Sequence, residues 1–422
     1  MVYNTYNLNV NVKEVGKMDS PRGYRRDFVL ISLITFLAYT SNFFFIPFLP
    51  VYMKDAGYTQ VAIGVAVGAF SVTSVFLRPL VGGLMDCWSR RVFVVAGSLV
   101  LAALPLAYPF AHSLTGLVLL RMVHGIGISF VVTAGMVVIA DIAPPGRLSQ
   151  STGNYMSSIS LALILAPMLA ERVMGTRPSS LWPFVLWPAA IALPALGLSL
   201  LIRETRCSPA PAATKTLRAS LSSFGDHRVW VPTVTFFSCQ ITQGAIFAFL
   251  PLFTLSWPDP AVAGVYFALY AAAIISVRLA FGHLADRYGR HRIIIPALVL
   301  SSLAVGLVFE SRGPGLLLTA AVVYGIGYGL AYPSLNAFVV DHVDDRLRGS
   351  ALGLFGTALG GGTLLGPVIG GFLVQSAGLA TMFLWLALAP LAGALLFVLT
   401  FLYRKPSLPE RPRYRAHTEP RG

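Results

Sequence analysis

Long apolar stretches separated by short polar loops fill most of the chain. Twelve of them run for about twenty residues or more, enough at ~1.5 Å of rise per residue to cross a ~30 Å hydrocarbon core. Lipid offers backbone amides no water, so each stretch must satisfy its own hydrogen bonds, and the pattern predicts helices rather than alternating strands. The predicted spans are roughly 28–50, 59–83, 92–111, 115–140, 151–173, 181–202, 229–254, 261–284, 292–310, 315–340, 350–374 and 379–403.

The second half of the sequence repeats the first at an offset of 200 residues. Gly64 is matched by Gly264 and Arg78 by Arg278, and six predicted spans fall in each half. Repeats of this kind predict two pseudo-symmetric bundles that face each other across a central path, the plan of alternating-access transporters. The predicted fold class is therefore an all-α integral membrane protein with twelve transmembrane helices in two six-helix bundles.

Polar stretches divide the chain into five predicted regions. The longest internal one is rich in Pro, Ala and Ser, which is typical of a flexible linker. The regions are an N-tail over 1–27, a first bundle over 28–202, a linker over 203–228, a second bundle over 229–403 and a basic tail over 404–422.

Composition and charge agree with a membrane protein. Hydrophobic residues make up 56% of the chain and charged residues only 11%, whereas soluble domains carry about a quarter charged residues. The net charge of +14 reflects Lys and Arg concentrated in the tails and in the loops on one side. This bias predicts cytoplasmic termini in a plasma (inner) membrane and argues against a nucleic-acid partner. The N-tail has no cleavable signal pattern, and the three cysteines show no disulfide spacing.

Two similar charged loops, one in each half, carry a family resemblance. They read GGLMDCWSRRV over 82–92 and GHLADRYGRHR over 282–292. In these loops the chain resembles the major facilitator superfamily, whose pattern is approximately G-x-L-x-D-R-x-G-R-R. The resemblance implies the twelve-helix fold of that superfamily and a charged gate formed by Gly82, Asp86, Arg90 and Asp141 with Gly282, Asp286, Arg287, Gly289, Arg290 and Asp341. Topological charge bias combined with tight turns is the alternative explanation of these loops.

The fourth span contains a deep arginine. Arg121 and His124 belong to a segment that resembles the R-x-x-Q-G-x-G pattern of the same superfamily, and Arg121 lies roughly 9 Å from the outer end. A guanidinium at that depth needs water, a carboxylate or an anionic ligand. A role in lining the cavity is favoured over that of a structurally satisfied arginine.

Other polar side chains recur near the middle of apolar spans. In the superfamily's general plan, the first, seventh, eighth and tenth spans face the central cavity, and tyrosines there suit an amphipathic solute. Ordinary helix packing is the alternative for each of them. The candidate binding residues on these spans are Tyr39, Asn42, Gln240, Gln243, Tyr266, Tyr270, Tyr324, Tyr328 and Asn336.

A glycine–proline pattern marks the eleventh span. Gly362, Gly366, Pro367 and Gly370 resemble the motif that antiporters of the superfamily carry on their fifth span, where this chain has Pro167 among alanines. Small residues at every fourth position permit close helix crossing. Helix packing explains the pattern as well as antiport does.

Chemistry missing from the sequence narrows the function. No Asp or Glu falls in the middle of a span, and there is no nucleotide-binding loop, hydrolase motif or metal spacing. We therefore expect no enzyme activity, no cofactor and no metal. The leading hypothesis is a monomeric secondary transporter that exports a small anionic, zwitterionic or neutral organic solute, coupled to protons. An importer or facilitator of a sugar or organic acid is the main alternative, and a lipid flippase or non-transporting sensor is a more distant one.

Overall fold

The computed structural model describes residues 21–144, 147–174, 182–205, 226–259, 261–281, 288–343 and 348–401, and the regular structure within them is helical. The first half contains α1 (Pro21–Phe43), α2 (Phe45–Asp55), α3 (Gln60–Cys87), α4 (Arg90–Ala103), α5 (Leu114–Ile142), α6 (Leu148–Met174) and α7 (Trp182–Ser199). The second half contains α8 (His227–Thr254), α9 (Val262–Phe281), α10 (Arg290–Glu310), α11 (Pro314–His342), α12 (Arg348–Ala377) and α13 (Leu379–Phe401).

The prediction of an all-helical membrane protein is confirmed. Within the described ranges, eleven stretches are long and apolar enough to cross a membrane, with α1 and α2 forming one of them. The twelfth predicted span is α3, a helix of 28 residues in which Gln60–Ser74 is a shorter apolar stretch. Large side chains such as Trp187, Leu279 and Trp385 are at least half exposed, as expected of a surface that faces lipid.

Prolines divide two spans that the apolar pattern predicts as continuous. The first span breaks at Phe44, between α1 and α2. Pro47 follows the break and has no N–H to donate to the carbonyl of Phe43, which removes one bond of the helical ladder. The third span changes from α-helix to a 3-10 helix over Leu104–Phe110, a segment that contains Pro105 and Pro109.

The two bundles are joined along two seams at one end of the molecule, here called the closed end. In the first seam α3 packs on α12, with Gly64 against Pro367. In the second, α6 packs on α9, with Gly264 against Met168. Because both seams use glycines near the first turns of α3 and α9, the two halves approach almost backbone to backbone there. Gly64 and Gly264 are counterparts in the sequence repeat, so equivalent positions of the two halves make equivalent helix contacts.

The glycine–proline pattern of α12 lies between two neighbouring helices. Gly362, Gly366 and Gly370 face α8 at Gln240, Ile241 and Phe249. The Pro367 carbonyl faces Gly64 of α3, while its ring faces Gly244 of α8. A Cβ on Gly370 would lie 2.9 Å from the Phe249 ring, so larger residues do not fit. Pro167, the corresponding proline of the first half, lies within α6 and is buried.

Candidate functional site

A cavity of about 620 Å³ lies between the two bundles. It extends from the closed end to Gly353 and Gly356 of α12, which are exposed and at which an added Cβ would meet nothing within 4 Å. We call this second end the mouth. Seven of the predicted binding residues line the cavity, namely Tyr39, Asn42, Arg121, Gln240, Gln243, Tyr270 and Tyr328.

Arg121 is the deepest cation of the cavity. It lies in the second turn of α5, is only 7% exposed, and has its guanidinium carbon 5.0 Å from the centroid of the Phe70 ring. Its Nε and Nη1 atoms are buried without a hydrogen-bond partner among the described residues. No carboxylate in the described part of the chain forms an ion pair with it. A buried cation attracts anionic groups strongly, because the attraction is weakly screened there.

Two further arginines line the same cavity. Arg78 of α3 and Arg278 of α9 both reach it, and each has a buried Nε atom that lacks a hydrogen-bond partner in the described structure. The Arg278 guanidinium lies 5.8 Å from the centroid of the Tyr332 ring. The sequence repeat identifies these two arginines as counterparts, but it does not indicate that they line the cavity. None of the described residues that line the cavity is Asp or Glu.

Amide and phenol groups form the polar wall of the second half. Gln243 Nε2 donates to Tyr270 Oη at 2.5 Å, and Gln240 Nε2 donates to the Leu359 carbonyl at 3.4 Å. The Tyr270 ring stacks on Tyr324 with centroids 5.4 Å apart. Tyr324 therefore supports Tyr270 from behind and does not itself line the cavity.

Three other predicted binding residues lie outside the cavity lining. His124 is fully buried between the rings of Phe45 and Phe70, with centroid distances of 5.2 and 6.2 Å, and neither ring nitrogen has a hydrogen-bond partner within the described residues. Tyr266 is buried as well, and Asn336 is half-buried on α11. Three residues along a helix rotate a side chain by about 60° from its neighbour's direction. His124 is turned by that angle from Arg121, and the rings of Phe45 and Phe70, which line the cavity themselves, cover it.

The predicted gate residues form one charged pair in each half. Arg90 Nε lies 3.5 Å from Asp141 Oδ2, and Arg290 Nε lies 3.2 Å from Asp341 Oδ2. Each of these two pairs is contained within its own half. Gly82 and Asp86 lie in the last turns of α3, while Gly282, Asp286 and Arg287 lie outside the described residues.

The two copies of the charged loop follow different backbone paths. Gly289 has a φ of 93°, a left-handed conformation that favours glycine. Ser89, at the equivalent place, has a φ of −63°, and its side chain accepts a hydrogen bond from the Val92 amide. The change from Gly to Ser thus accompanies an ordinary N-cap at the start of α4.

Glu204 is a functional candidate that sequence reasoning missed. Its carboxylate accepts hydrogen bonds from the Arg90 amide at 3.1 Å, from the Arg91 amide at 3.4 Å and from the Ser89 hydroxyl. A carboxylate at a helix N-terminus is stabilised by the free amides and the helix dipole. The sequence predicts residue 204 to belong to the linker over 203–228, yet it packs on the first bundle. At the far end of that linker, α8 begins at His227 with Asp226 as its N-cap.

Two helical bundles around a central polar cavity define a membrane transporter of the two-bundle type. The chain matches the Major Facilitator Superfamily over residues 31–275 and 258–421 and belongs to that superfamily, which comprises transporters and not enzymes.

Similar proteins agree with this assignment. An uncharacterized MFS-type transporter of Methanocaldococcus jannaschii is 24% identical over 84% of this chain and 92% of its own length. Multidrug resistance protein 1 of Bacillus subtilis is 24% identical over 83% of this chain and 90% of its own length. Among solved structures, a mutant of the nucleoside transporter NupG superposes with a TM-score of 0.78 at 16% identity, covering 89% of this chain and all of that one. The structural likeness shows the fold alone.

Proposed function

We propose that this chain exports a small anionic organic solute by alternating access through the central cavity. The observation that carries the proposal is that Arg78, Arg121 and Arg278 line the cavity, whereas none of its described lining residues is acidic. Attraction between opposite charges is weakly screened in a low-dielectric cavity. Such a site favours anions and disfavours the cations that an acidic cavity would select.

The charge bias of the loops supports an orientation for the chain in the membrane. Arginines flank the mouth, among them Arg90 and Arg91 at the start of α4 and Arg290 and Arg292 at the start of α10. The positive-inside rule then assigns the mouth to the cytoplasm of an inner membrane, with both termini on that side. In this orientation the solute enters the cavity from inside the cell. The staphylopine export protein of Staphylococcus aureus, 22% identical over 81% of this chain and 89% of its own length, supports export as the direction. We propose the monomer as the working unit, since one chain encloses the cavity.

The membrane potential favours the export of an anion. A negative charge that leaves a negative interior gains about 2.3 kcal/mol per 100 mV. We propose a proton gradient as the second driving force, beside the membrane potential. His124 lies three residues after Arg121 on α5, and a change in its charge would alter the field at the anion site.

Transport in proteoliposomes tests the proposal. The purified chain is reconstituted and supplied with a panel of labelled organic anions, cations and neutral solutes at imposed pH gradients and potentials. We expect uptake of anions only, strongly reduced in Arg121→Ala and partly retained in Arg121→Lys, which keeps the charge but loses the planar donor fork. Arg312→Ala is the matched control, because Arg312 is exposed and lies outside the cavity lining.

Several results would contradict the proposal. Unchanged anion affinity in both Arg121 variants would remove its main support. Movement of lipid without transport of any solute would favour a flippase, and transport of neutral sugars alone would favour the facilitator hypothesis. Transport that responds to the potential but not to the pH gradient would remove proton coupling while leaving the anion site intact.

A further inference from the structure

Arg78 and Arg278 occupy equivalent positions of the two halves and lie far from Arg121. The helices α3, α5 and α9 all begin at the closed end, where Gly64 and Gly264 form the seams and Tyr58 Oη contacts the His112 carbonyl next to α5. At ~1.5 Å per residue, Arg121 lies about 10 Å along α5, Arg78 about 27 Å along α3 and Arg278 about 24 Å along α9. The cavity therefore has one cation at its base and two near its mouth.

The two mouth arginines form no ion pair with the residues that the structure describes. The Nε atom of each is buried without a hydrogen-bond partner among those residues. The clearest contact of either guanidinium is the Tyr332 ring beside Arg278. Two cations that belong to different bundles repel each other more strongly as the bundles approach at the mouth.

The wall between the two charged regions is largely aromatic and apolar. Phe43, Phe70, Phe247 and Ile274 line it. Its polar groups are neutral, namely Ser71, Ser74, Gln240, Gln243 and Tyr270. A solute that fills the cavity would contact apolar groups along its middle and cations at both of its ends. A guanidinium binds a carboxylate or phosphate through paired hydrogen bonds, so an anionic group at each end would be held with defined geometry.

Resting on the proposed function, we propose that Arg78 and Arg278 form a second anionic subsite, so that the preferred substrates are elongated organic anions with a negative group at each end. One group binds at Arg121, and the other binds between the mouth arginines. The second group bridges the two bundles, because Arg78 belongs to the first and Arg278 to the second. Its binding replaces repulsion across the mouth by attraction and favours closure of the mouth around the substrate.

Matched rigid probes test this subsite. Biphenyl-4,4′-dicarboxylate and biphenyl-4-carboxylate share an aromatic body and differ by one carboxylate. Affinities of both are measured by titration calorimetry on the full chain in nanodiscs, with empty nanodiscs as the blank. We expect the dianion to bind the wild type roughly tenfold more tightly. Arg78→Gln and Arg278→Gln should lower the affinity of the dianion about tenfold and that of the monoanion much less, whereas Arg121→Gln should weaken both probes. Arg278→Lys should restore part of the dianion preference.

The outcomes separate this inference from the proposed function. Equal effects of Arg78→Gln on both probes, or no effect on either, would refute the second subsite, while the loss of affinity in Arg121→Gln would still support the anion transporter. No effect of Arg121→Gln on either probe, or no binding of either probe to the wild type, would contradict both. Thermal unfolding of each variant in the same nanodiscs establishes that the fold is intact.

Discussion

A single methyl group at the closed end should shift the balance between the two conformations of the transport cycle. Gly64 packs on α12 so closely that a Cβ there would lie 2.8 Å from the carbonyl carbon of Pro367 and 3.2 Å from the Cα of Val368. Both neighbours are backbone atoms, which cannot rotate away as a side chain would. Gly64→Ala can therefore be accommodated only if α3 and α12 separate.

The size of the effect follows from the cost of overpacking. An extra carbon forced into a packed interface costs about 1–3 kcal/mol. In the proposed alternating-access cycle the seam separates in the opposite conformation, so that cost exists only while the closed end is closed. The gain in helix propensity from Gly to Ala is about 1 kcal/mol and is equal in both conformations, so it cancels. The conformational equilibrium should shift about 5- to 150-fold towards an open seam.

Distances across the closed end measure this shift. Spin labels on Lys54→Cys and Asp259→Cys, at exposed positions in different halves, report the separation of the bundles in a background that lacks the three native cysteines. We expect Gly64→Ala to move the distance distribution to longer values. Gly306→Ala is the matched control, because a Cβ at Gly306 would meet nothing within 4 Å. An unchanged distribution in Gly64→Ala, or an equal change in the control, would refute the packing argument.

Three further changes test other parts of the structure. Glu171 accepts a hydrogen bond from the Gly264 amide at 2.8 Å across the second seam, so Glu171→Ala should weaken the closed end by about 1–3 kcal/mol. The same spin labels should show the closed end opening. Glu171→Gln keeps an acceptor, so equal behaviour of the two variants would contradict the assigned bond. Arg290→Gln breaks the partly exposed ion pair with Asp341. We expect slower turnover, unchanged solute affinity and a loss of less than about 1 kcal/mol in the free energy of unfolding. A change in affinity alone would argue against a gate. Gly353→Leu adds bulk at the mouth, where space is free in this conformation. We expect the spin-label distances across the closed end to stay as in the wild type while the transport rate falls. Normal transport would show that the mouth does not narrow at this position.

The sequence predicts the helices well because lipid imposes a length and an apolar composition on each span. It also predicts the breaks in principle, since Pro47 and Pro105 lie inside apolar stretches where a helix loses backbone bonds. It predicts depth too, because distance along a helix is fixed by rise per residue. Arg121 was located in this way from its position alone.

The sequence does not show how each helix is rotated about its own axis, and so which side chains face the cavity. A helix that is apolar on all sides has no hydrophobic face to show which side turns inward. Packing against neighbours is equally hidden, since Tyr324 and Tyr328 share a face of α11 but Tyr324 lies behind Tyr270 and only Tyr328 lines the cavity. Arg78 was known as a repeat counterpart of Arg278 without any sign that both face the solute path. Partners distant in sequence, such as Glu204 at the start of α4, are likewise invisible because only tertiary packing brings them together.

The two ends of the path differ in the forces that act on them. The closed end joins glycine backbones and places the Glu171 carboxylate on a backbone amide, so its contacts form without any solute. The proposed closure of the mouth instead brings Arg78 and Arg278 closer together. Neither forms an ion pair with a described residue, so their mutual repulsion opposes that movement. An anion between them reverses the sign of the interaction. Without a bound anion the protein should therefore favour an open mouth, and the solute that supplies the negative charge is also the one that permits the mouth to close.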